Sequence, residues 1–375
     1  MSDAALPATV ADVPTPCLLV DIDKIKRNCQ RMLDTARNMG VQLRPHVKTH
    51  KTIEGADIAT AGTRRKIVVS TLNEAEFFAA NGYDDILYGF PISKEKIPRC
   101  QRLANQLSEF HILYDSAEAM QWVQDAPLNP GKQWSVILKI DTGYGRAGVL
   151  WDSDDVVTVA KAAVDADNVR FRGIYAHCGG SYDCKGVEEL KEFGAINTDR
   201  VTTVRDKLQS AGIACEIVGT GSTPSCSHPA DNMAALTEFH PGTYFFYDNE
   251  QVRIGACTLD DVALRVATRV ISHKPSKKQL VTNCGHTALS YCGQKEAGDE
   301  FCVVQGHPNL RLVRLCQEHG MIQPVTGDID FDDHPLGTML YLYPYQSCVT
   351  AAHHPVYYVH SGEKIVGMWR PTRGW

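Results

Sequence analysis

The sequence has no apolar run approaching the roughly 20 residues that a bilayer-spanning helix needs, so no helical membrane span is expected. It has no excess of basic residues: 38 Lys and Arg stand against 44 Asp and Glu, for a net charge of −6. That balance offers no electrostatic footprint for nucleic acid or an anionic membrane. Its 13 cysteines contain no CxxC pair and are scattered rather than densely spaced, which excludes a disulfide scaffold. The opening stretch MSDAALPATVADVPTP lacks the basic and apolar regions of a secretion signal. The expectation is a cytoplasmic protein whose thiols stay reduced and mostly serve as small core residues. Internal repeats and low-complexity linkers are also missing.

What the sequence does have is length and order. Its 375 residues, 43% hydrophobic, leave room for more than one core. Short β-branched runs alternate with helix-length segments: VQLRPHVK (41–48), KIVVS (66–70), DILYGF (85–90), FHILYD (110–115), WSVILKI (134–140), VRFRGIYAH (169–177), CEIVGTG (215–221) and PGTYFFYD (241–248). Alternating order implies parallel strands joined by right-handed crossovers. Eight such units fit a (β/α)8 TIM-type barrel, with the active site at the C-terminal strand ends; a doubly wound open sheet is the alternative. After about residue 255 the helices stop, and DDVALRVATRVISH, QLVTNCG, LRLVRLCQEHG, GTMLYLYPY and VYYVHSGEKIVGMW read as strands joined by turns. The expected organisation is an α/β barrel over 26–255 and an all-β domain over 256–375. An N-terminal strand within 1–25 is expected to pair with the latter.

LRPHVKTHKT (43–52) concentrates two lysines and two histidines. If the segment is extended, alternate side chains share a face. Arg44, His46 and Lys48 then point one way, with Lys48 at the C-terminal strand end where barrel enzymes gather catalytic groups. Lys51 lies beyond it and is expected to be solvated. A surface role for both lysines is the plain reading. A covalent role requires that the ammonium lose its proton, which desolvation or cationic neighbours such as Arg44 and His46 promote. His46 and His50, four apart, suit a metal on a helix better than on a strand, so the metal reading is weak. The small residues of VGTGSTPSC (218–226) and HPGTYFFYD (240–248) follow the seventh and eighth strand positions, where many barrels bind phosphate. A reactive lysine facing a phosphate site suggests pyridoxal 5′-phosphate (PLP).

TPCLLVD (15–21), RPHVKTHKT (44–52), KIDTGYGRAGV (139–149), GIYAHCG (173–179), GSTPSCSHP (221–229) and HPGTYFFYD (240–248) together resemble the PLP- and metal-dependent D-serine dehydratases of eukaryotes. That family is grouped with the D-threonine aldolases and shares an alanine-racemase-like barrel. The resemblance runs from about residue 14 to RPTRGW at the C-terminus. It implies a Schiff base on Lys48, Arg146 near the cofactor ring, and Tyr175 and Tyr182 in contact with the cofactor. It places Thr223, Gly242 and Thr243 on the phosphate, helped by amides near Gly221 and Ser222.

The implied reaction is PLP-dependent α,β-elimination of D-serine to pyruvate and ammonia, with a zinc ion assisting the leaving hydroxyl. The family holds that ion with a P-x-H-x-C segment, whereas this sequence reads YPYQSC, with Gln346 in place of histidine and Cys348 retained. On a strand, His353 would face away from Cys348, and His354 would lie about 20 Å along it, so neither substitutes readily. A variant with weakened metal binding and a paralogue with another task both fit. Asn283 also stands where an acidic residue is expected. Alternatives to D-serine dehydration are cleavage or elimination of D-threonine or 3-hydroxy-D-aspartate, and a PLP-binding pseudo-enzyme without turnover. The resemblance further implies a homodimer.

Overall fold

The structure is a computed structural model describing residues 6–294, 298 and 300–375. The chain divides into two compact units. One comprises Cys29–Tyr244, Ile254–Ala256 and Thr372–Trp375; the other holds the chain up to Asn28 together with Phe245–Arg253 and Cys257–Pro371.

The first unit is a parallel barrel. Its eight strands are Gln42–Leu43, Ile67–Val69, Asp85–Pro91, Glu109–Tyr114, Trp134–Asp141, Val169–Ala176, Ile217–Thr220 and Glu238–Phe239. Each runs parallel to its neighbours. The ring closes between the first and second strands through a bridge from His46 to Val68, where Val68 N–H donates to Pro45 O at 2.9 Å. Helices alternate with most strands, and hydroxyl caps mark where several begin. Thr52, Thr71 and Ser116 accept from the amides of Gly55, Glu74 and Ala119, satisfying donors that a helix start leaves open. The lumen is filled, not hollow: Val68, Leu87, Leu113, Ile137, Tyr175 and Ile217, one from each of six strands, form a buried cluster.

Two strands are shorter than their sequence patterns suggest. The first ends at Leu43, and residues 47–49 form a 3-10 turn. The eighth is Glu238–Phe239, so PGTYFFYD is not a strand but the loop that follows it, with a 3-10 turn at Thr243–Phe245. In both places proline and small residues break the ladder that the apolar pattern favours.

The second unit is mostly sheet. Cys17–Asp21 lies between Leu264–Lys274, to which it is antiparallel, and Tyr357–Ser361, to which it is parallel. Gln279–Thr282, Gly320–Pro324 and Leu310–Leu315 extend the sheet on one side and Lys364–Trp369 on the other; Met339–Pro344 and Cys302–Val304 branch from it. Val10, Val13, Cys17, Leu19, Ala267 and Ile365 form part of its core. The unit is not purely β, because Ser347–His353 is a helix. Asn283 has a structural task here. Its Oδ1 accepts from Thr268 Oγ1 and Arg269 N–H, and its Nδ2 donates to Thr15 O and Oγ1, all at 2.9–3.0 Å. A carboxylate offers no donor for the Thr15 contacts, which gives asparagine a reason to stand there.

Candidate active site

Lys48 is half-buried in the turn Val47–Thr49, between two buried residues and just past the C-terminal end of the first strand. It is therefore presented by a turn and not by strand alternation. The cations expected beside it are also placed differently. Arg44 is buried and donates to Glu238 at 2.8 and 3.0 Å and to Asp85 at 2.6 Å; both acids are the first residues of their strands. Burial and the nearby charge of Lys48 hold His46 well below the usual imidazole range, so it is neutral. Lys51 is not solvated: its Nζ pairs with the buried Glu74 at 2.9 Å.

The cationic partner at this mouth is Lys139, which sequence analysis did not single out. It is 4% exposed, with Nζ 4.2 Å from the centre of the Tyr175 ring, and it makes no ion pair among the described residues. Burial, then the charge of Arg146, lowers it to about 7, against opposition from Asp141 and Asp115. One signal was legible: it is the lone charge in the apolar run WSVILKI, two positions from the lumen residue Ile137. Charging Lys139 opposes folding between the folded value near 7 and the unfolded value near about 10.4, so its cost is largest at and below neutral pH. Lys139→Met is accordingly expected to raise Tm at pH 7, with the gain shrinking as pH rises toward 10 in thermal melts.

Tyr175 is buried in the lumen, with the His240 ring stacked on it at 4.4 Å and 12°. His240 Nε2 lies 3.3 Å from Glu238 Oε2. Burial lowers His177 and His240, as it does His46. The mouth thus carries neutral imidazoles beside Lys48 and Arg146, with Lys139 lowered to about 7 and so only partly charged at neutral pH, a setting that favours anions.

Arg146 is exposed and sits over the Tyr144 ring at 5.5 Å. Its loop is shaped by Asp141, whose carboxylate accepts from the amides of Gly143, Tyr144 and Gly145. Gly148 closes the loop at φ +117°, and a Cβ there would lie 2.6 Å from backbone of Ile140 and Asp141. Tyr182 lies in the 3-10 turn after the sixth strand and packs on Cys184, Leu190, Ile254 and Ala256.

The loops after the seventh and eighth strands meet where Tyr244 N–H donates to Thr223 Oγ1 at 3.1 Å. Thr223 and Thr243 are buried. Ser222 caps the short helix Thr223–Ser227 and contacts Ser181 Oγ at 2.7 Å. A Cβ on Gly242 would lie 2.8 Å from His46 O, so this position tolerates no side chain and brings the eighth-strand loop against the Lys48 segment. The buried His46 Nδ1 has no hydrogen-bond partner among the described residues, and the small-residue cradle beside it fits a phosphate-bearing ring. A cavity of about 580 Å³ borders the same mouth, lined by Thr142, Tyr144, Gly179, Asp183, Phe193 and Arg200 among others, and not by Lys48.

Gln346 and Cys348 do not share a strand face. The strand ends at Pro344, Gln346 is the extended N-cap, and Cys348 is in the first turn of the helix Ser347–His353. On this helix His354 is about 9 Å along the axis from Cys348, at about 1.5 Å per residue, and not the roughly 20 Å of an extended strand. His354 Nε2 instead meets Ala288 O at 2.7 Å. Asp248 anchors the helix start, accepting from Ser347 N–H at 2.8 Å and Ser347 Oγ at 3.0 Å. Sequence analysis passed over Cys292, whose Sγ lies 3.6 Å from Gln346 Oε1. Among the described residues no three His, Cys, Asp or Glu side chains are gathered for a metal. Thiolates are nonetheless donors that zinc favours, and an amide oxygen is a harder one.

A family model described as "Alanine racemase, N-terminal domain" matches residues 20–250, and one described as "Putative serine dehydratase domain" matches 263–360. The D-serine dehydratase of Dictyostelium discoideum is 34% identical, over 98% of both chains. This chain belongs to the D-serine dehydratase family. The solved structure of D-threo-3-hydroxyaspartate dehydratase from Delftia sp. HT23 superposes with a TM-score of 0.93 at 31% identity, covering 98% of this chain and all of that one. An alanine racemase from Clostridium difficile, at 14% identity and a TM-score of 0.69 over 98% of this chain and 99% of that one, shares the fold. Family members of both dehydratase types thus align along nearly the whole chain, barrel and sheet unit together.

Proposed function

We propose that this protein is a PLP-dependent lyase that converts D-serine to pyruvate and ammonia. The observation that carries the reading is Lys48, held on a turn at the C-terminal mouth of a closed barrel against the Gly242 loop, in a chain aligned end to end with a D-serine dehydratase. Bound PLP would supply an electron sink for the carbanion at Cα, and bound zinc a Lewis acid for the departing hydroxyl.

The chain's own groups divide the remaining work. Lys48 Nζ accepts the Cα proton. Thr223, Thr243 and the side-chain-free backbone at Gly242 hold the phosphate. Arg146, and Lys139 when protonated, supply positive charge for anionic groups at the mouth, while the neutral imidazoles of His46, His177 and His240 add none. Tyr175, fixed between His240 and Lys139, would border the cofactor from the lumen, and Tyr182 would do so from the neighbouring loop. Cys348, with Gln346, would hold the zinc. The substrate loses its Cα hydrogen and β-hydroxyl as water, and hydrolysis of the resulting enamine releases pyruvate and ammonia.

D-threo-3-hydroxyaspartate is the second candidate substrate, favoured by the 0.93 superposition on a dehydratase of that name; its elimination needs the same proton and hydroxyl transfers. Assembly as a homodimer and a cytoplasmic setting complete the reading.

Pyruvate release by PLP-loaded protein, measured with added zinc and with a chelator, tests it. Zinc-dependent pyruvate from D-serine is expected. A keto acid only from 3-hydroxy-D-aspartate would transfer the assignment to that substrate, glycine from D-threonine would make the protein an aldolase, and no product in any condition would make it a pseudo-enzyme.

A further inference from the structure

We infer that Cys292 supplies the donor that position 346 lacks, so that Cys292, Gln346 and Cys348 form a thiolate-rich site for a soft divalent metal such as zinc, cobalt or cadmium. This rests on the reading of the 346–348 segment as metal-binding and changes which of the chain's residues do the binding.

The geometry comes from three sets of contacts. Cys292 Sγ is 3.6 Å from Gln346 Oε1, and all three side chains are half-buried. The loop that carries Cys292 is tied to the helix that carries Cys348: Thr350 Oγ1 donates to Leu289 O, and His354 Nε2 meets Ala288 O. Immediately after Cys292, Gly293 has φ +92°, and a Cβ there would lie 2.8 Å from the Tyr345 ring. The chain on either side of Cys292 is thereby held to the residues on either side of Gln346. Asp248 fixes Ser347, which lies between Gln346 and Cys348 in the chain.

The donor chemistry favours thiolate over a Gln–Cys pair alone. A carboxamide oxygen is neutral and hard, and one thiolate leaves a divalent ion half neutralised. Two thiolates match its charge and its softness. The amide oxygen completes three protein ligands, leaving a position for water or a substrate oxygen, as catalytic zinc sites do. Each thiol loses its proton to solvent on binding, so one metal ion releases two protons.

Cobalt(II) added to metal-free protein tests the site without turnover. The expected result is one ion per chain, a thiolate-to-cobalt charge-transfer band, and release of two protons. Metal should also protect Cys292 and Cys348 together from alkylation, as mapped by mass spectrometry on the unaltered protein. Cys292→Ser should weaken binding by at least about 100-fold, beyond the usual loss from an outer-sphere change. Cys292→Ser/Gln346→His should recover zinc. Alkylation of Cys292 at equal rates with and without bound metal would overturn the inference, as would unchanged cobalt binding in a folded Cys292→Ser variant. Failure of the dehydratase reading is distinct: it would leave cobalt–thiolate binding intact while D-serine gave no pyruvate.

Discussion

Lys48→Ala is expected to lower D-serine turnover by at least about 10⁴-fold, the upper range for loss of a positioned proton-transfer group, and to abolish borohydride-trappable PLP. The size of the effect follows from the absence of a substitute. Lys139 is another amine at the mouth, but it is buried, with its Nζ over the Tyr175 ring. The turn itself should survive, because Val47 O accepts from the amides of His50 and Lys51 at 3.2 and 2.8 Å and involves no Lys48 side-chain atom. Lys48→Arg should fail as badly, since a guanidinium keeps the charge yet cannot surrender its proton. Thermal melts within a few degrees of the parent protein, alongside lost turnover, would place the defect in the chemistry. A Lys48→Ala variant retaining a tenth of the activity would remove Lys48 from the reaction.

The second large effect is on stability. Arg44→Leu should cost about 3–5 kcal/mol, the range for removing one partner of a buried ion pair, because it strands two carboxylates at once. Glu238 and Asp85 are each about 4% exposed, and Asp85 also contacts His111 at 3.4 Å. In the parent protein both acids are held below their ordinary range by partners that outweigh burial. Their contribution is therefore present above the unfolded carboxylate values near about 4 and lost as pH falls below them. Without Arg44, burial dominates and raises both carboxyls. The variant should then gain stability when pH is lowered from 7 to 5, whereas the parent should show no such gain. Urea unfolding at the two pH values reads the reversal directly. A variant with the parent's pH response would show that these carboxylates do not depend on Arg44.

The barrel was legible because its signal is local and repeated: apolar β-branched runs recur at βα spacing, with helix-length segments between them. The location of Lys48 was legible for a partly mistaken reason. Alternation put it at a strand end; the structure puts it at that end but on a turn, because the ladder stops at Leu43 before Pro45. The cationic surroundings were not legible, since neutralisation of Arg44 depends on Glu238 and Asp85, 194 and 41 residues distant in sequence. Cys292 was hidden for the same reason, lying 54 residues from Gln346. At YPYQSC the strand pattern continued past its true end, because Tyr345 is buried like its predecessors and burial alone does not distinguish a strand from the helix start that Asp248 caps.

The position of Cys17–Asp21 within its sheet imposes an order on biosynthesis. Its antiparallel partner begins at Leu264 and its parallel partner at Tyr357. A ribosome working at about 5–20 residues per second therefore spends about 10–50 s on the intervening chain before the first of these partners exists. The barrel residues 29–244 are all synthesised in that interval. Throughout it, the apolar stretch Cys17–Val20 has neither of its native neighbours, so this sheet cannot close until the chain is nearly complete.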